Sequence, residues 1–220
     1  MIARVPSVED VGLCIPYTLI ACICREQYLM LKRRKAPFAG QWNFIGGKIE
    51  HGEKPVSSAK RELAEEAGLW VAEGRLRFQG LAVWPSSHHP LTLMGMMLFA
   101  VQIRAAKTIN SQLALIDEGV LAWLPESFLM REASAHVVPN VKLLMEMFKL
   151  RTRIRSMLLH SPNESGQWDI AMSPLPPHHQ EIDKTGEGPW AGKLSDLVRG
   201  YTATRRVEVF MRQIASTNLD

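Results

Sequence analysis

Three glutamates, Glu62, Glu65 and Glu66, fall within five consecutive residues of a segment whose other signals are helical. Residues three and four apart on a helix share a face, so these carboxylates can gather in one patch, where their like charges repel and weaken the helix. A solvated acidic face is the commonest reason for such a cluster. The other reading is a divalent-cation site. Hard oxygen ligands suit Mg²⁺ or Mn²⁺, and a bound cation removes the repulsion.

The flanking residues favour the cation. Glu53 precedes the helical segment, Gly46 and Gly47 lie upstream of Glu53, and Arg61 adjoins the acidic cluster. Backbone at paired glycines can approach a ligand closely, and a carbonyl there can complete a metal's oxygen shell.

Gly47, five residues, Glu53, seven residues, then Arg61-Glu62-Leu63-Ala64-Glu65-Glu66-Ala67-Gly68-Leu69 resembles the Nudix box, G-x5-E-x7-R-E-U-x-E-E-x-G-U with U apolar. Every fixed position matches, which makes the signal far more specific than a lone glycine motif. The resemblance covers roughly residues 13–157 and leaves the C-terminal region outside it. It implies hydrolysis of a nucleoside diphosphate linked to some other moiety X, on an α/β/α sandwich. It also implies that Glu62, Glu65 and Glu66 hold Mg²⁺ or Mn²⁺ with help from the Gly46 carbonyl, and that Arg61 and Glu53 pair to brace the loop against the helix.

Such chemistry needs a cation because water attacking pyrophosphate is repelled until the phosphate charge is screened. Lys48 is a candidate phosphate contact beside the glycines, as are Arg33 and Arg34 at a strand end, and an exposed basic residue is the plain alternative for each. Two residues compete for the general base. Glu118, in IDEG (116–119), stands where several members of the family carry another acidic residue, and Glu65 is the other candidate.

For the substrate, GQWNFIGGKIEHGE (40–53) resembles the loop of MutT-like and 8-oxo-dGTP-hydrolysing members, in which Asn43 would read a purine edge. Asn140 could fill a second base-reading role, and a helix N-cap explains it equally. Paired aspartates of the oxidised-purine enzymes have no counterpart in ASAHVVPN (133–140). The expectation is therefore a nucleoside triphosphate, oxidised or not, cleaved to monophosphate and pyrophosphate. ADP-ribose or nucleotide-sugar hydrolysis is the alternative, on the strength of Pro85, and a non-catalytic nucleotide-sensing module is a second.

These residues need elements to position them. IPYTLIACIC (15–24) and QYLMLKRR (27–34) read as a strand hairpin, and 55–67 as a helix with Pro55 in its first turn and Gly68 just past its end. Val56, Ala59, Leu63 and Ala67 form its apolar stripe. Strands are expected at 76–84, 92–103 and 119–124, a short helix after Pro125, and a longer helix from about Pro139 to Met157. The order predicts a mixed α+β sandwich domain over 1–158. A Pro/Gly-rich linker or irregular segment (159–192) and short helices (193–220) complete the chain.

Composition bounds the partners. Among 220 residues, 46% are hydrophobic and 22% charged, and the formal net charge is +4. A sizeable core is available, and nothing in the charge calls for nucleic acid. No run is long and apolar enough to span a bilayer, and three cysteines without ligand spacing (Cys14, Cys22, Cys24) point to a reducing compartment, the cytoplasm. His88-His89 and His178-His179 read as exposed loop residues, and the C-terminal region is a candidate homodimer contact.

Overall fold

The computed structural model describes residues 12–86, 88, 92–103, 114–131, 136–149, 156–162 and 168–174. Nine strands form one mixed sheet, in the order β6-β7-β2-β1-β5-β4-β8-β9, with the short β3 paired to β2. The first hairpin is β1 (Gly12–Cys24) and β2 (Gln27–Arg33), antiparallel as expected. The strand β3 is Trp42–Asn43, and β4 (Arg77–Pro85) and β5 (Thr92–Gln102) form a second antiparallel pair. Parallel pairing of β1 with β5 joins the two hairpins at the centre of the sheet. On the other side, β6 (Ala114–Ile116) and β7 (Gly119–Pro125) extend the sheet from β2.

Helices cover both faces. The helix α1 runs Pro55–Ala67, with Gly68 in the left-handed conformation just beyond it. Its buried Val56, Ala59 and Leu63 pack with Ile20, Leu31, Phe78 and Phe99 of the sheet. The other face carries α2 (Glu126–Arg131) and α3 (Val141–Lys149), whose Val141, Leu144 and Phe148 pack with Leu19, Tyr28, Phe44 and Leu98. Alternate residues of β1 therefore feed opposite cores, as the two-residue period of a strand requires. The result is the α+β, α/β/α sandwich with a mixed sheet that the sequence predicts.

Two expectations are corrected. The late helix stops at Lys149, and Ser156–Pro162, whose first residues were expected to be its last turn, is the strand β8. Part of the segment expected to be irregular is also paired. Residues 159–162 belong to β8, which lies parallel to β4, and Trp168–Pro174 forms β9, antiparallel to β8. SMLL is apolar and able to continue a helix, but β4 presents it with a strand edge, and pairing overrides local propensity. The short helices expected over 193–220 and His178-His179 lie outside the described residues. No helix among the described residues is long and apolar enough to cross a membrane.

Candidate active site

The site is built where the glycine loop is clamped between β1 and α1. On the strand side, Thr18 N–H donates to the Gly47 carbonyl (2.9 Å), Ile20 N–H to Ile45 (2.7 Å) and Ile49 N–H to Pro16 (2.9 Å). This approach is too close for a side chain: a Cβ on Gly46 would run into the Thr18 carbonyl, and Gly46 has φ +153°. On the helix side, a Cβ on Gly47 would land on the Glu62 carboxylate. Beneath the loop, Ser58 Oγ donates to the Lys48 carbonyl (3.3 Å) and meets Thr18 Oγ1 at 3.4 Å.

Glu62 and Glu66 are buried with the core residues of α1. Gly46 N–H donates to Glu66 Oε2 at 3.1 Å, which fixes that carboxylate against the loop. Burial, reinforced by Glu62 and Glu118, pushes the Glu66 carboxyl up to about 7, against the pull of the Gly46 N–H and of Arg33. Glu62 is also raised, chiefly by burial, although Arg61 opposes it. Glu65 stands on the exposed side of the cluster.

Arg61 organises the remainder. Its Nε and one terminal nitrogen grip both oxygens of Glu53 at 3.0 Å each. Its other terminal nitrogen donates to Glu62 Oε1 at 2.8 Å and to Glu65 Oε2 at 3.0 Å. The terminal nitrogen that grips Glu53 also donates to the Lys48 carbonyl, at 2.9 Å. The Arg61 hydrogen bonds and the N–H of Glu50, 3.0 Å from Glu53 Oε2, hold the Glu53 carboxyl below the usual carboxylate range.

Gly46, Gly47, Glu53, Arg61, Glu62, Glu65 and Glu66 are thus brought together in one place. Arg33 and Glu118 lie near enough for their charges to register on Glu66. The backbone explains why: Arg34 N–H donates to the Glu118 carbonyl at 2.8 Å, tying the end of β2 to the β6–β7 turn. Lys48 joins the network through its carbonyl, while its side chain is exposed. Asn43 Oδ1 accepts from Phe44 N–H at 2.9 Å, and the Asn140 carbonyl accepts from Leu144 N–H in the first turn of α3.

Sequence reasoning missed the Thr18–Ser58 pair and the bracing role of the Lys48 carbonyl. For Ser58 there was a signal, since it sits beside Val56 and Ala59 on the buried side of a helix. The carbonyl had none, because every residue offers the same backbone group.

A cation fits the donor set. Two buried carboxylates, an exposed third and a glycine backbone offer the hard oxygens that Mg²⁺ and Mn²⁺ prefer, and burial has raised the cost of keeping them charged without a partner. In the structure Arg61 supplies the positive charge, and among the described residues no three His, Cys, Asp or Glu side chains converge as metal ligands.

The NUDIX domain family model matches residues 16–135, more than half of the chain. The chain belongs to the Nudix family. An oxidized purine nucleoside triphosphate hydrolase of Mus musculus is 42% identical over 55 residues, which cover 25% of this chain and 35% of the relative. An uncharacterized Nudix hydrolase of Pseudomonas aeruginosa is 33% identical over 109 residues, covering 45% of this chain and 64% of the relative. The chain thus spans about a third of the mouse protein's length. Among solved structures, a mutator MutT protein from Bacillus halodurans superposes with a TM-score of 0.54 at 18% identity, over 73% of this chain and 98% of that one. That likeness is one of Nudix fold.

Proposed function

We propose that this Nudix chain is a pyrophosphohydrolase dependent on Mg²⁺ or Mn²⁺, cleaving a nucleoside diphosphate linked to X. A nucleoside triphosphate, oxidised or not, is the leading substrate, with monophosphate and pyrophosphate as products. The observation that carries this reading is the burial of Glu62 and Glu66 directly beneath Gly46 and Gly47. A merely solvated acidic face would leave those carboxylates in water. Charged groups are rarely buried without a partner of opposite sign.

Glu62, Glu65, Glu66 and the Gly46 carbonyl would hold the cation. When bound, it would screen the phosphate charge and stabilise the leaving phosphate. The chain's own residues do the remainder. Arg61 and Glu53 lock the loop to the helix, so that the glycine backbone stays in place. Arg33, on the Glu66 side of the cluster, would contact substrate phosphate, with Lys48 as a second contact. Glu118 or Glu65 would take the proton from the attacking water. Both are exposed, so water and substrate can reach them.

Asn43 and Asn140 are the candidates for reading the base. The mouse relative's name supports an oxidised purine triphosphate, through the quarter of the chain that matches it. The ADP-ribose or nucleotide-sugar alternative rests on Pro85, which ends β4, where a proline has a plain structural reason to be. The small-molecule nucleotide is the partner this reading needs.

Glu66→Gln tests the proposal, since it removes the charge and keeps the shape. Turnover should vanish while the folded spectrum is unchanged. A variant with wild-type activity would sink the assignment. The substrate is chosen by a panel of dNTPs, oxidised dNTPs, ADP-ribose and dinucleotides with Mg²⁺. Tight binding of one without hydrolysis of any would favour the nucleotide-sensing reading.

A further inference from the structure

We infer that Arg61 is a positioning residue that stands in for the cation, holding Glu62 and Glu65 in the metal-free chain and competing with the ion that would claim them. This rests on the cation site proposed above. A guanidinium has five N–H donors, and Arg61 directs them at Glu53, Glu62, Glu65 and the Lys48 carbonyl. Bracing the loop requires only the paired bonds to Glu53 and the bond to Lys48. The terminal nitrogen that bridges Glu62 and Glu65 does something else, since it sets part of one positive charge between two of the three carboxylates on the patch.

The consequence has two parts. Without metal, the bridge relieves the repulsion that the helical spacing imposes between Glu62 and Glu65, and so helps keep α1 and the loop assembled. With metal, the same positive charge lies beside the ion. The bridging nitrogen must yield Glu62 and Glu65, while the grip on Glu53 has no reason to change. Arg61 thereby protects the empty site and weakens cation binding. A bracing residue alone would strengthen binding by ordering the ligands.

The two roles give opposite signs in a titration of the full chain with Mn²⁺, followed by calorimetry. Arg61→Gln should bind Mn²⁺ about threefold or more tightly than wild type, because a repelling unit charge a few ångströms away is gone. Its melting temperature in EDTA should fall, and the rise on adding Mn²⁺ should exceed that of wild type. Glu53→Gln serves as a control that loosens the brace, keeps the Arg61 charge and removes its counter-charge, and its Mn²⁺ binding should not tighten. Equal or weaker binding by Arg61→Gln overturns the inference.

A measurement on the wild-type chain needs no variant to fold. In side-chain ¹⁵N NMR, adding diamagnetic Mg²⁺ should shift the terminal-nitrogen signals of Arg61 and leave its Nε signal in place. Unchanged terminal signals at saturating Mg²⁺ would overturn the inference while leaving the cation site standing. If wild type binds neither Mn²⁺ nor Mg²⁺, the proposed function falls and this inference with it.

Discussion

The glycine–helix region and the corner where β3 meets α3 are assembled by opposite means. From Gly46 to Glu66 the functional groups meet their partners within a short stretch of chain: Arg61 with Glu53, Glu62 and Glu65, and Glu66 with Gly46. At the other corner the bonds are long-range. Trp42 N–H donates to His136, Val138 N–H to Trp42, and Phe44 packs edge-on against Phe148 at 5.0 Å. Asn43 and Asn140 ride on those two segments. The comparison separates two tasks. Under the proposed function, charge chemistry would fall to a unit with helical spacing, and base recognition to a surface that depends on distant strands and helices.

Each region has its own core, and the largest effects should come from there. Leu63 is fully buried beneath α1, and Phe148 is buried beneath α3. Replacing either with alanine should cost about 2–5 kcal/mol, measured by urea denaturation. The sharper expectation lies in function: Leu63→Ala should weaken Mn²⁺ binding, and Phe148→Ala should leave it near wild type. Were Phe148→Ala to lose the ion as well, the two regions would be one cooperative unit.

Gly47→Ala comes next, because its added methyl would meet the Glu62 carboxylate. Overpacking of this kind costs about 1–3 kcal/mol, and Glu62 must leave its place. Cation affinity and turnover should fall together. If melting temperature drops while Mn²⁺ affinity is unchanged, Glu62 is not a ligand.

A smaller effect is expected at the corner proposed to read the base. Asn43→Ala deletes the side-chain acceptor for Phe44 N–H and should cost about 1 kcal/mol. Its Mn²⁺ affinity should match wild type, while the preference among nucleotide bases in the substrate panel shifts. A variant with unchanged base preference and unchanged KM would remove Asn43 from recognition.

The same contrast explains what could be read before the structure. The helix 55–67 with its Pro55 start and Gly68 stop, the first hairpin, and the acidic patch all follow from short-range periodicity, and each appears where expected. Ala114–Ile116, Trp42–Asn43 and the β8–β9 pair were missed. Ala114–Ile116 and Trp42–Asn43 are too short for a two-residue period to show and become strands by pairing with β7 and β2, whereas β8 and β9 carry Pro and Ser and depend on β4, distant in sequence. For the site, residue types and spacing gave the cluster. They could not give the direction of side chains, such as Asn43 turned onto its own neighbour's N–H, or a backbone carbonyl used as a brace.

The smallest expected effect concerns β1, the strand both regions share. It carries all three cysteines, and they sample two environments. Cys14 is exposed near its start, whereas Cys22 and Cys24 are buried. Burial drives the Cys22 thiol far above its ordinary range, and the thiolate is the reactive form. A chromogenic thiol reagent at neutral pH should therefore modify one cysteine promptly in the native chain and all three in denaturant, with no change in turnover after the first. Mass mapping should place that first adduct on Cys14. Rapid labelling of Cys22 would mean that β1 opens under native conditions. The glycine loop is hydrogen-bonded to residues 16–20 of that strand and the α3 core packs on its other face, so such opening would loosen both regions at once.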